Sequence, residues 1–453
     1  MIPIEKYNVS VPRYTSYPPA NFFGPTDGAS YIEAVKRSNS EGSANISFYL
    51  HMPFCHRLCH YCGCNSYVMP RRGDTVRRYA EALHKEIDMV AAHLDKSRPI
   101  SQIHYGGGSP TAMPAALLRE LNEHMLSLFP VIEGCEIAIE CHPGYLSHDD
   151  WEALAGCGFN RFSIGVQDLN PEVLKAVGRT PSLLPLKEIT EMLHGAGAAV
   201  NMDFLFGLPH QTPESFADSI RRAIDTRPER LVTFSYGHMP QVFKRQQVLE
   251  KHGLPAADAK RRMHDLAAGL LLQAGYKRIG LDHFVLPSDE LYTALLHGQL
   301  YRNFQGYCSR RTTGDVYAFG VTGISQFDSF YAQNTKDIEE FIGLTLAGEP
   351  ATKKGYRLTP RQRIAKEVIE RLMCNYRIRW QEIADTLGIG TDTLKAAICY
   401  DEAMLHEMED DGLLRLDPDG IRMTEQGHPF VRNVAAALDP LMRETDKQFS
   451  KPI

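Results

Sequence analysis

The stretch that decides the fold is His51-Met52-Pro53-Phe54-Cys55-His56-Arg57-Leu58-Cys59-His60-Tyr61-Cys62-Gly63-Cys64. It contains three cysteines in a C-x3-C-x2-C spacing. Three thiolates on one short loop suit a 4Fe–4S cluster, whose irons take cysteine ligands. Three ligands for four irons leave one iron open, so a small molecule can bind there. The loop therefore predicts a cluster with an exchangeable position.

The fourth cysteine of this loop, Cys64, allows a second interpretation. Zinc could be held by Cys55, Cys59, Cys62 and Cys64, with His56 and His60 in reserve. Structural zinc sites usually draw their ligands from two separated pairs, and four cysteines within ten residues would make a cramped tetrahedral cage. The cluster is favoured, with Cys64 outside its ligand set. The remaining cysteines are scattered and are expected to be small buried residues, with Cys308 in a polar loop as the exception.

Composition excludes several classes of function. A net charge of −6 over 453 residues disfavours a broadly basic nucleic-acid binder. The first residues lack the basic and apolar regions of a signal peptide. No apolar run approaches the roughly 20 residues that a membrane helix needs. Ten cysteines are too sparse for a disulfide scaffold, which favours metal or redox work in a reducing compartment and hence the cytoplasm.

Apolar strand-like runs alternate with helical patterns through the first half of the chain. This order is typical of a parallel sheet or barrel, and at least six such units predict an α/β fold with a partial (β/α)6 TIM-like barrel. Strands are predicted at Ile46–Leu50, Ile103–Tyr105, Glu136–Glu140, Arg161–Gly165, Ala199–Phe206 and Leu231–Tyr236. Helices are predicted at Thr75–His93, Leu117–Leu128, Asp149–Ala155, Pro185–Gly195 and Pro213–Asp225.

Polar and glycine residues follow the ends of these predicted strands, where the chemistry of such barrels lies. Besides the cysteine loop, they are Gly106-Gly107-Gly108, Glu140, Gln167, Asp203 and Tyr236-Gly237. Glycines let a ligand lie against the backbone, whose carbonyls could accept from a positively charged amine. A carboxylate such as Glu140 suits a ribose or a cation, with an ordinary surface position as the alternative. Arg179 could pair with a carboxylate.

The second half predicts a different organisation. Residues 240–350 are less regular and include the polar stretch Arg302-Asn303-Phe304-Gln305-Gly306-Tyr307-Cys308-Ser309-Arg310-Arg311. Helices are then predicted at Arg361–Met373, Trp380–Leu387 and Leu394–Met408. A hairpin turning at Asp417-Pro418-Asp419-Gly420 and a helix from about Pro429 follow. This order resembles a winged helix. Residues 359–453 carry 13 lysines and arginines against 17 aspartates and glutamates, a net of −4, so a lid or dimer surface is favoured over DNA binding.

With these residues, the chain resembles the oxygen-independent coproporphyrinogen III oxidases, a radical S-adenosylmethionine family of heme synthesis, over almost its whole length. The resemblance is carried by Pro12-Arg13-Tyr14-Thr15-Ser16-Tyr17-Pro18, the loop from Cys55 to Asn65, Gly106-Gly107-Gly108, Gly165-Val166-Gln167-Asp168, Gly207-Leu208-Pro209, Gln211–Phe216, Asp282-His283-Phe284, Arg302–Tyr307, Tyr331–Asn334 and Gln448-Phe449-Ser450. The sequence differs from the pattern expected of this family at Tyr61, Ser109, Gly237, Cys141-His142-Pro143 and the loop Cys308–Thr313. The last two lie near the expected site.

The resemblance implies a cluster on Cys55, Cys59 and Cys62 and two molecules of S-adenosylmethionine. The molecule that chelates the cluster would contact Tyr49, Gly107, Glu140, Gly237 and Ile324. The second would contact Tyr61, Gly108, Ser109, Gln167, Arg179 and Asp203. Cys64, Gln305, Arg13 and Arg302 are expected on the catalytic and substrate side. The four substrate carboxylates make Arg57, Arg310 and Arg311 further candidates for holding them.

The activity implied by the resemblance is oxidative decarboxylation of coproporphyrinogen III to protoporphyrinogen IX through a 5′-deoxyadenosyl radical. A paralogue with another substrate, a heme-binding chaperone and a zinc protein remain alternatives, and Cys64 disfavours the chaperone. The expected partners are the substrate and a reduced flavodoxin- or ferredoxin-type electron donor, with a monomeric chain. Four parts are expected: an N-terminal segment at 1–45 packing near the site, the barrel at 46–240, a substrate-side extension at 241–350 and a helical C-terminal domain at 351–453.

Overall fold

Six parallel strands form the centre of the computed structural model, which describes residues 2–312, 314–443, 445–447 and 449. The strands are β1 (Ile46–Met52), β2 (Ile100–Gly107), β3 (Val131–Cys141), β4 (Arg161–Gln167), β5 (Ala199–Phe206) and β6 (Arg230–Ser235). They lie side by side in chain order. All six predicted strands are therefore confirmed, most of them longer than predicted. Thr313, Gln448 and Ser450, named in the sequence comparison, lie outside the described residues.

Further strands extend this sheet at both edges, to thirteen in all among the described residues. Beside β1 lies Asp315–Phe319, again parallel, followed by antiparallel strands at Ile324–Gln326, Phe330–Asn334, Thr352–Arg357 and Gly24–Pro25. Beside β6 lie His283–Val285 and Lys277–Ile279. The two outermost strands do not pair, so the barrel is partial. Residues 240–350, expected to be less regular than the barrel, contain short strands that pair mostly with their neighbours in the chain and extend the sheet.

Helices follow the barrel strands as the alternation predicted, and their first turns show why they begin where they do. Thr212 accepts from Ser215 N, Ser215 Oγ accepts from Thr212 N, and Pro213 stands at the first helical position. Ser147 and Asp150 form the same reciprocal cap. Up to residue 273, helices span Ile4–Tyr7, Gly28–Glu41, Thr75–Ala91, Ala115–Leu128, His148–Ala155, Pro171–Ala176, Leu186–Gly195, Pro213–Ile224, Gln247–Glu250 and Ala257–Gln273.

The C-terminal part is mainly helical, with one small sheet. Its helices, and those just before it, span Glu290–Leu296, Ile338–Leu346, Pro360–Asn375, Trp380–Leu387, Thr391–Ala397, Glu402–Asp410 and Val431–Leu438. The predicted hairpin is confirmed as Leu414–Asp417 and Gly420–Met423, joined by Arg377–Arg379 as a third strand. The single helix predicted at Leu394–Met408 is wrong. Asp401 caps a new helix by accepting from Met404 N, which breaks the run in two.

Buried side chains form two main clusters, one in the barrel and one in the C-terminal part. The N-terminal segment contributes to both. Tyr31 and Val35 pack into the barrel core, whereas Tyr7, Tyr14 and Tyr17 pack with the C-terminal helices. The four predicted domain boundaries stay a prediction.

None of the described helices combines the length and apolarity needed to span a bilayer.

Candidate active site

The cysteine loop leaves the end of β1 and is held by its own backbone and by neighbouring segments. Tyr67 N donates to Pro53 O and Met69 N to Cys55 O, so the segment after the cysteines is hydrogen-bonded to the segment before them. His60 N donates to Val177 O at 2.9 Å, which fixes the loop to the segment after β4. Cys59 is buried, Cys55 and Cys62 are half-buried and Cys64 is exposed.

The spacing of the thiols separates the two metals considered from the sequence. A single zinc ion, with Zn–S bonds of about 2.3 Å, would hold its sulfurs roughly 3.8 Å apart. Among the described residues, no three sulfurs of this loop lie within 4.8 Å of one another. A cluster spreads its cysteines over different irons, so the wider triplet fits a cluster better than a single zinc ion.

Ionisation of the thiols is uneven. The hydrogen bond with Cys64 lowers the pKa of Cys62 to about 6, and the Cys64 N–H also donates to Cys62 Sγ at 3.4 Å. Burial raises the pKa of Cys55 to about 12. Iron takes thiolates, so loading the triplet would release protons, including the proton that Cys55 retains at neutral pH.

The glycines that end β2 make room for Glu140 and Tyr49. A side chain at Gly106 would meet Glu140 Oε1 at 2.7 Å and the Tyr49 ring at 3.1 Å. At Gly107, where φ is +109°, a Cβ would meet the His51 ring at 2.6 Å. The structure therefore brings together Tyr49, Gly107 and Glu140, three of the five positions expected to contact the first S-adenosylmethionine.

A second group of expected contacts assembles around Arg179. Its Nη1 donates to Tyr61 Oη at 3.1 Å and lies 3.5 Å from Cys59 Sγ, and its Nη2 donates to Gly165 O. Gln167, with φ at +70°, places its Nε2 2.9 Å from the Cβ position of Gly165. Tyr61, Gln167 and Arg179 thus surround the end of β4 beside the cysteines.

Gly108, Ser109 and Asp203 complete the expected contacts of the second molecule. Gly108 N donates to Met52 O and Ser109 N to Phe54 O, so both line the path of the cysteine loop. Asp203 accepts from Ser163 Oγ at 3.0 Å in the barrel interior. Burial, together with the nearby charges of Glu140 and Asp282, raises the pKa of Asp203 to about 6.

A group of four cations, which we call the basic basin, consists of Arg13, Lys260, Arg302 and Arg432, with the carboxylate of Asp282 near Arg13 and Arg302. Arg13 Nη2 lies 3.3 Å from the Cβ position of Gly237. Lys260 Nζ donates to Tyr236 O at 3.0 Å and Arg432 Nε to Pro12 O at 2.8 Å. Burial and the neighbouring Arg13 and Arg302 lower the pKa of Arg432 to about 10, which still leaves it charged.

Among the four cations of this basin, Arg302 has a buried hydrogen-bond donor that the described residues leave unsatisfied. Its guanidinium lies 4.8 Å from the centre of the Tyr307 ring, and its Nε is buried with no hydrogen-bond partner among the described residues. Lone buried donors are rare in folded proteins and mark a place for a ligand or water. Four cations concentrated here, in a chain of net charge −6, make the basin a binding place for an anion.

The other predicted arginines lie apart from this group. Arg310 pairs with Glu367 at 2.9 Å and Arg311 with Glu290 at 3.1 Å, and Arg57 is exposed beside the cysteines. Gln305 lies at the turn of the hairpin formed by Leu300–Asn303 and Gly306–Ser309, where its N–H donates to Asn303 Oδ1. Ile324 begins the strand Ile324–Gln326 and is half-buried.

Sequence reasoning missed Lys260, Arg432 and the role of Asp282 in this site. It also missed His104, whose Nε2 lies 3.1 Å from Glu140 Oε1 and whose ring stacks on Tyr49. The alternation of β2 could have placed His104 inside the barrel, two residues before Gly106. Lys260 and Arg432 lie on helices far apart in the chain, and the sequence around each gives no indication that it belongs to the site.

Comparisons with known proteins agree with this geometry. Residues 49–223 match the model of the radical SAM superfamily and residues 358–430 that of the HemN C-terminal domain. The oxygen-independent coproporphyrinogen III oxidase of Escherichia coli is 36% identical over 99% of this chain and 97% of its own. That of Synechocystis is 34% identical over 99% and 97%. The solved structure of the Escherichia coli enzyme, described as a radical SAM enzyme, superposes with a TM-score of 0.85 and 34% identity, covering 97% of this chain and 98% of that one.

Proposed function

The chain belongs to the oxygen-independent coproporphyrinogen III oxidases of the radical SAM superfamily, and we propose that it converts coproporphyrinogen III to protoporphyrinogen IX. The reaction removes carbon dioxide from two propionate side chains and leaves two vinyl groups. The observation that supports this substrate most directly is the basic basin, whose Arg13 lies next to Gly237. Four cations there match a substrate that carries four carboxylates.

Membership of the superfamily implies a 4Fe–4S cluster and S-adenosylmethionine, which supply one-electron chemistry that removes a hydrogen atom from the propionate. We propose Cys55, Cys59 and Cys62 as the cluster ligands. Cys64 would stay outside this set, because it is exposed and hydrogen-bonded to Cys62. The protein residues then have three tasks: to hold the nucleoside, to hold the macrocycle and to exclude water from both.

We further propose two positions for S-adenosylmethionine. Tyr49, Gly107, Glu140, Gly237 and Ile324 would hold the first, with the Glu140 carboxylate kept in place by His104. Tyr61, Gly108, Ser109, Gln167, Arg179 and Asp203 would hold the second. The grouping of Tyr61, Gln167 and Arg179 around Gly165 supports this division, because a guanidinium beside the site can pair with an amino-acid carboxylate.

On the substrate side, Arg13 and Arg302 would pair with propionates, with Gln305 at the neighbouring turn. Arg13 lies next to Gly237, so a propionate on Arg13 would be close to the nucleoside. Arg302 offers a buried donor that no residue of the described chain satisfies. Arg310 and Arg311 are weaker candidates, because each already pairs with a carboxylate outside the basin.

The proposal also includes the setting of the reaction. An electron donor of the flavodoxin or ferredoxin type would reduce the cluster. The test is to measure the rate of cluster reduction by such a donor at several salt concentrations, because an encounter between charged proteins slows as salt is added. We propose a monomer in the cytoplasm, where a reducing environment suits ten free cysteines. Size-exclusion chromatography of the reconstituted protein checks the monomer, and fractionation of cells checks the compartment.

The decisive test is an anaerobic assay of the reconstituted protein with coproporphyrinogen III, S-adenosylmethionine and dithionite. We expect 5′-deoxyadenosine, methionine and protoporphyrinogen IX, the last measured as fluorescent protoporphyrin after oxidation. Deoxyadenosine without a vinyl product would retain the radical chemistry and reject this substrate. Colourless protein that contains zinc and no iron would reject both.

A further inference from the structure

Asp282 is a carboxylate of the basic basin that forms no direct ion pair with an arginine or lysine of the described chain. Its Oδ1 lies 2.7 Å from His283 Nδ1, and no arginine or lysine nitrogen of the described chain lies within 4.0 Å of it. Its second oxygen makes no hydrogen bond to a described residue. The side chain is about one-fifth exposed, so this oxygen is available to a ligand.

The position of Asp282 is fixed by the sheet. Thr233 N, on β6, donates to Asp282 O at 2.8 Å, and the following residue, His283, pairs with Val232 in the neighbouring strand. Burial disfavours the charged form, but His283, Arg302 and Arg13 outweigh burial and hold the pKa of Asp282 below its usual value. The basin therefore presents an ionised acceptor near two of its cations, Arg13 and Arg302.

A site that bound only propionates would gain nothing from this acceptor, since like charges repel. The rest of the substrate explains it. Coproporphyrinogen carries four pyrrole N–H groups near the centre of the macrocycle, and its propionates lie at the rim. The oxidised porphyrin has lost two of these hydrogens, so two of its central nitrogens present lone pairs instead of donors.

We propose that Asp282 accepts hydrogen bonds from the pyrrole N–H groups and selects the reduced porphyrinogen over the oxidised porphyrin, an inference that rests on the proposed function. The cations of the basin hold the rim of either macrocycle, whereas Asp282 distinguishes their centres. A carboxylate gains hydrogen bonds from four converging donors and loses part of them, with added repulsion from lone pairs, when the ring is oxidised.

The test compares the two ligands with one protein. Equilibrium dialysis under anaerobic conditions measures the dissociation constants of coproporphyrinogen III and coproporphyrin III for the cluster-loaded enzyme, the reduced ligand being quantified after oxidation. We expect the wild type to prefer the reduced ligand by about tenfold or more, the contribution of one charge-assisted hydrogen bond. Asp282→Ala should bring the ratio close to one, and Asp282→Glu should restore part of the preference.

A merely structural role for Asp282 would weaken both ligands equally and leave the ratio unchanged, so the ratio itself is the readout. Glu250→Gln is the matched control, because it removes an exposed carboxylate paired with His238 outside the basin and should keep the wild-type ratio. If Asp282→Ala fails to fold, as judged by its unfolding temperature, Asp282→Asn takes its place and should lower the ratio by a smaller factor.

Two failures can be told apart. A wild type that makes protoporphyrinogen IX, with the same ratio in the Asp282 variants as in the wild type, would overturn the assignment of Asp282 alone. A wild type that forms deoxyadenosine but no vinyl product would overturn the proposed function, and the assignment of Asp282 with it. A wild-type ratio near one would also overturn the assignment.

Discussion

The two sides of the site are built in opposite ways. On the cofactor side, the cysteines, Glu140, Gln167, Arg179 and Asp203 lie on or after successive strands β1 to β5. On the substrate side, the basic basin takes Arg13 from the N-terminal segment, Lys260 from a helix after the barrel, Arg302 from a hairpin and Arg432 from the last helix. A repeated β/α unit turns order along the chain into order in space, so the first side can be read from sequence and the second cannot.

The largest effect should come from breaking the cofactor side at a cysteine of the triplet. Cys59→Ala is expected to abolish the cluster and all turnover, because two thiolates do not replace three. Iron and sulfide per chain and the visible absorption after anaerobic reconstitution measure this. Cys157→Ala, a buried cysteine that donates to backbone carbonyls away from the loop, should keep its iron. A Cys59 variant that retains about four irons would contradict the assigned ligands.

On the substrate side, Arg302→Ala should lower kcat/KM for coproporphyrinogen by roughly 10- to 100-fold, the value of a hydrogen bond to a charged group. Cleavage of S-adenosylmethionine without substrate should stay near the wild-type rate, because Arg302 belongs to the basin. Steady-state kinetics with both readouts separate the two sides. Arg311→Ala is the matched control, since that exposed arginine pairs with Glu290. An equal loss of kcat/KM in both arginine variants would show that Arg302 contributes no more to substrate binding than an arginine outside the basin.

A smaller effect on the cofactor side concerns Asp203. Its pKa of about 6 in the folded protein lies above the usual aspartate value of 3.8, so the folded state binds the proton more tightly. The free energy of unfolding should therefore fall as pH rises from about 4 through 6. Asp203→Asn removes this loss and should stabilise the ligand-free protein by on the order of 2 kcal/mol at pH 7.5, with little gain at pH 4.

Urea unfolding of the ligand-free protein at several pH values measures the effect of Asp203→Asn. Asp218→Asn, on the exposed face of a helix, is the control and should leave the pH profile unchanged. An Asp203 variant with the same pH profile as the wild type would show that burial of this carboxyl carries no cost.

The smallest effect should come from weakening the hydrogen bonds that hold the N-terminal segment, on which Arg13 lies. Tyr14 and Tyr17 both donate to the buried Asp439 at 2.9 Å, which ties the N-terminal segment to the C-terminal part. Tyr14→Phe should lower the free energy of unfolding by about 1 kcal/mol and raise the KM for coproporphyrinogen more than that for S-adenosylmethionine. Tyr292→Phe removes a hydroxyl without a described hydrogen bond and serves as control. Equal shifts in both KM values would place Tyr14 outside the substrate side.

Much of the fold could be predicted from the sequence where contacts are local or repeated. The six barrel strands and the five predicted helices among them were found because their apolar periods of 2 and 3.6 are distinct. The strands between Lys277 and Arg357 were missed, since each has only three to six residues, too few to show a clear apolar period. The predicted helix Leu394–Met408 failed at Asp401, whose capping side chain was a readable signal.

By itself, the sequence determined the cysteine loop, the β/α order and the residues near the strand ends that we propose as cofactor contacts. It determined these because a strand fixes which residue follows its end, whatever the rest of the chain does. Only the tertiary structure decided which arginines meet: Arg302 turns into the basin, and Arg310, eight residues on, pairs with Glu367 instead. Cations of equal chemistry differ only in where packing places them, and that depends on contacts between segments far apart in the chain.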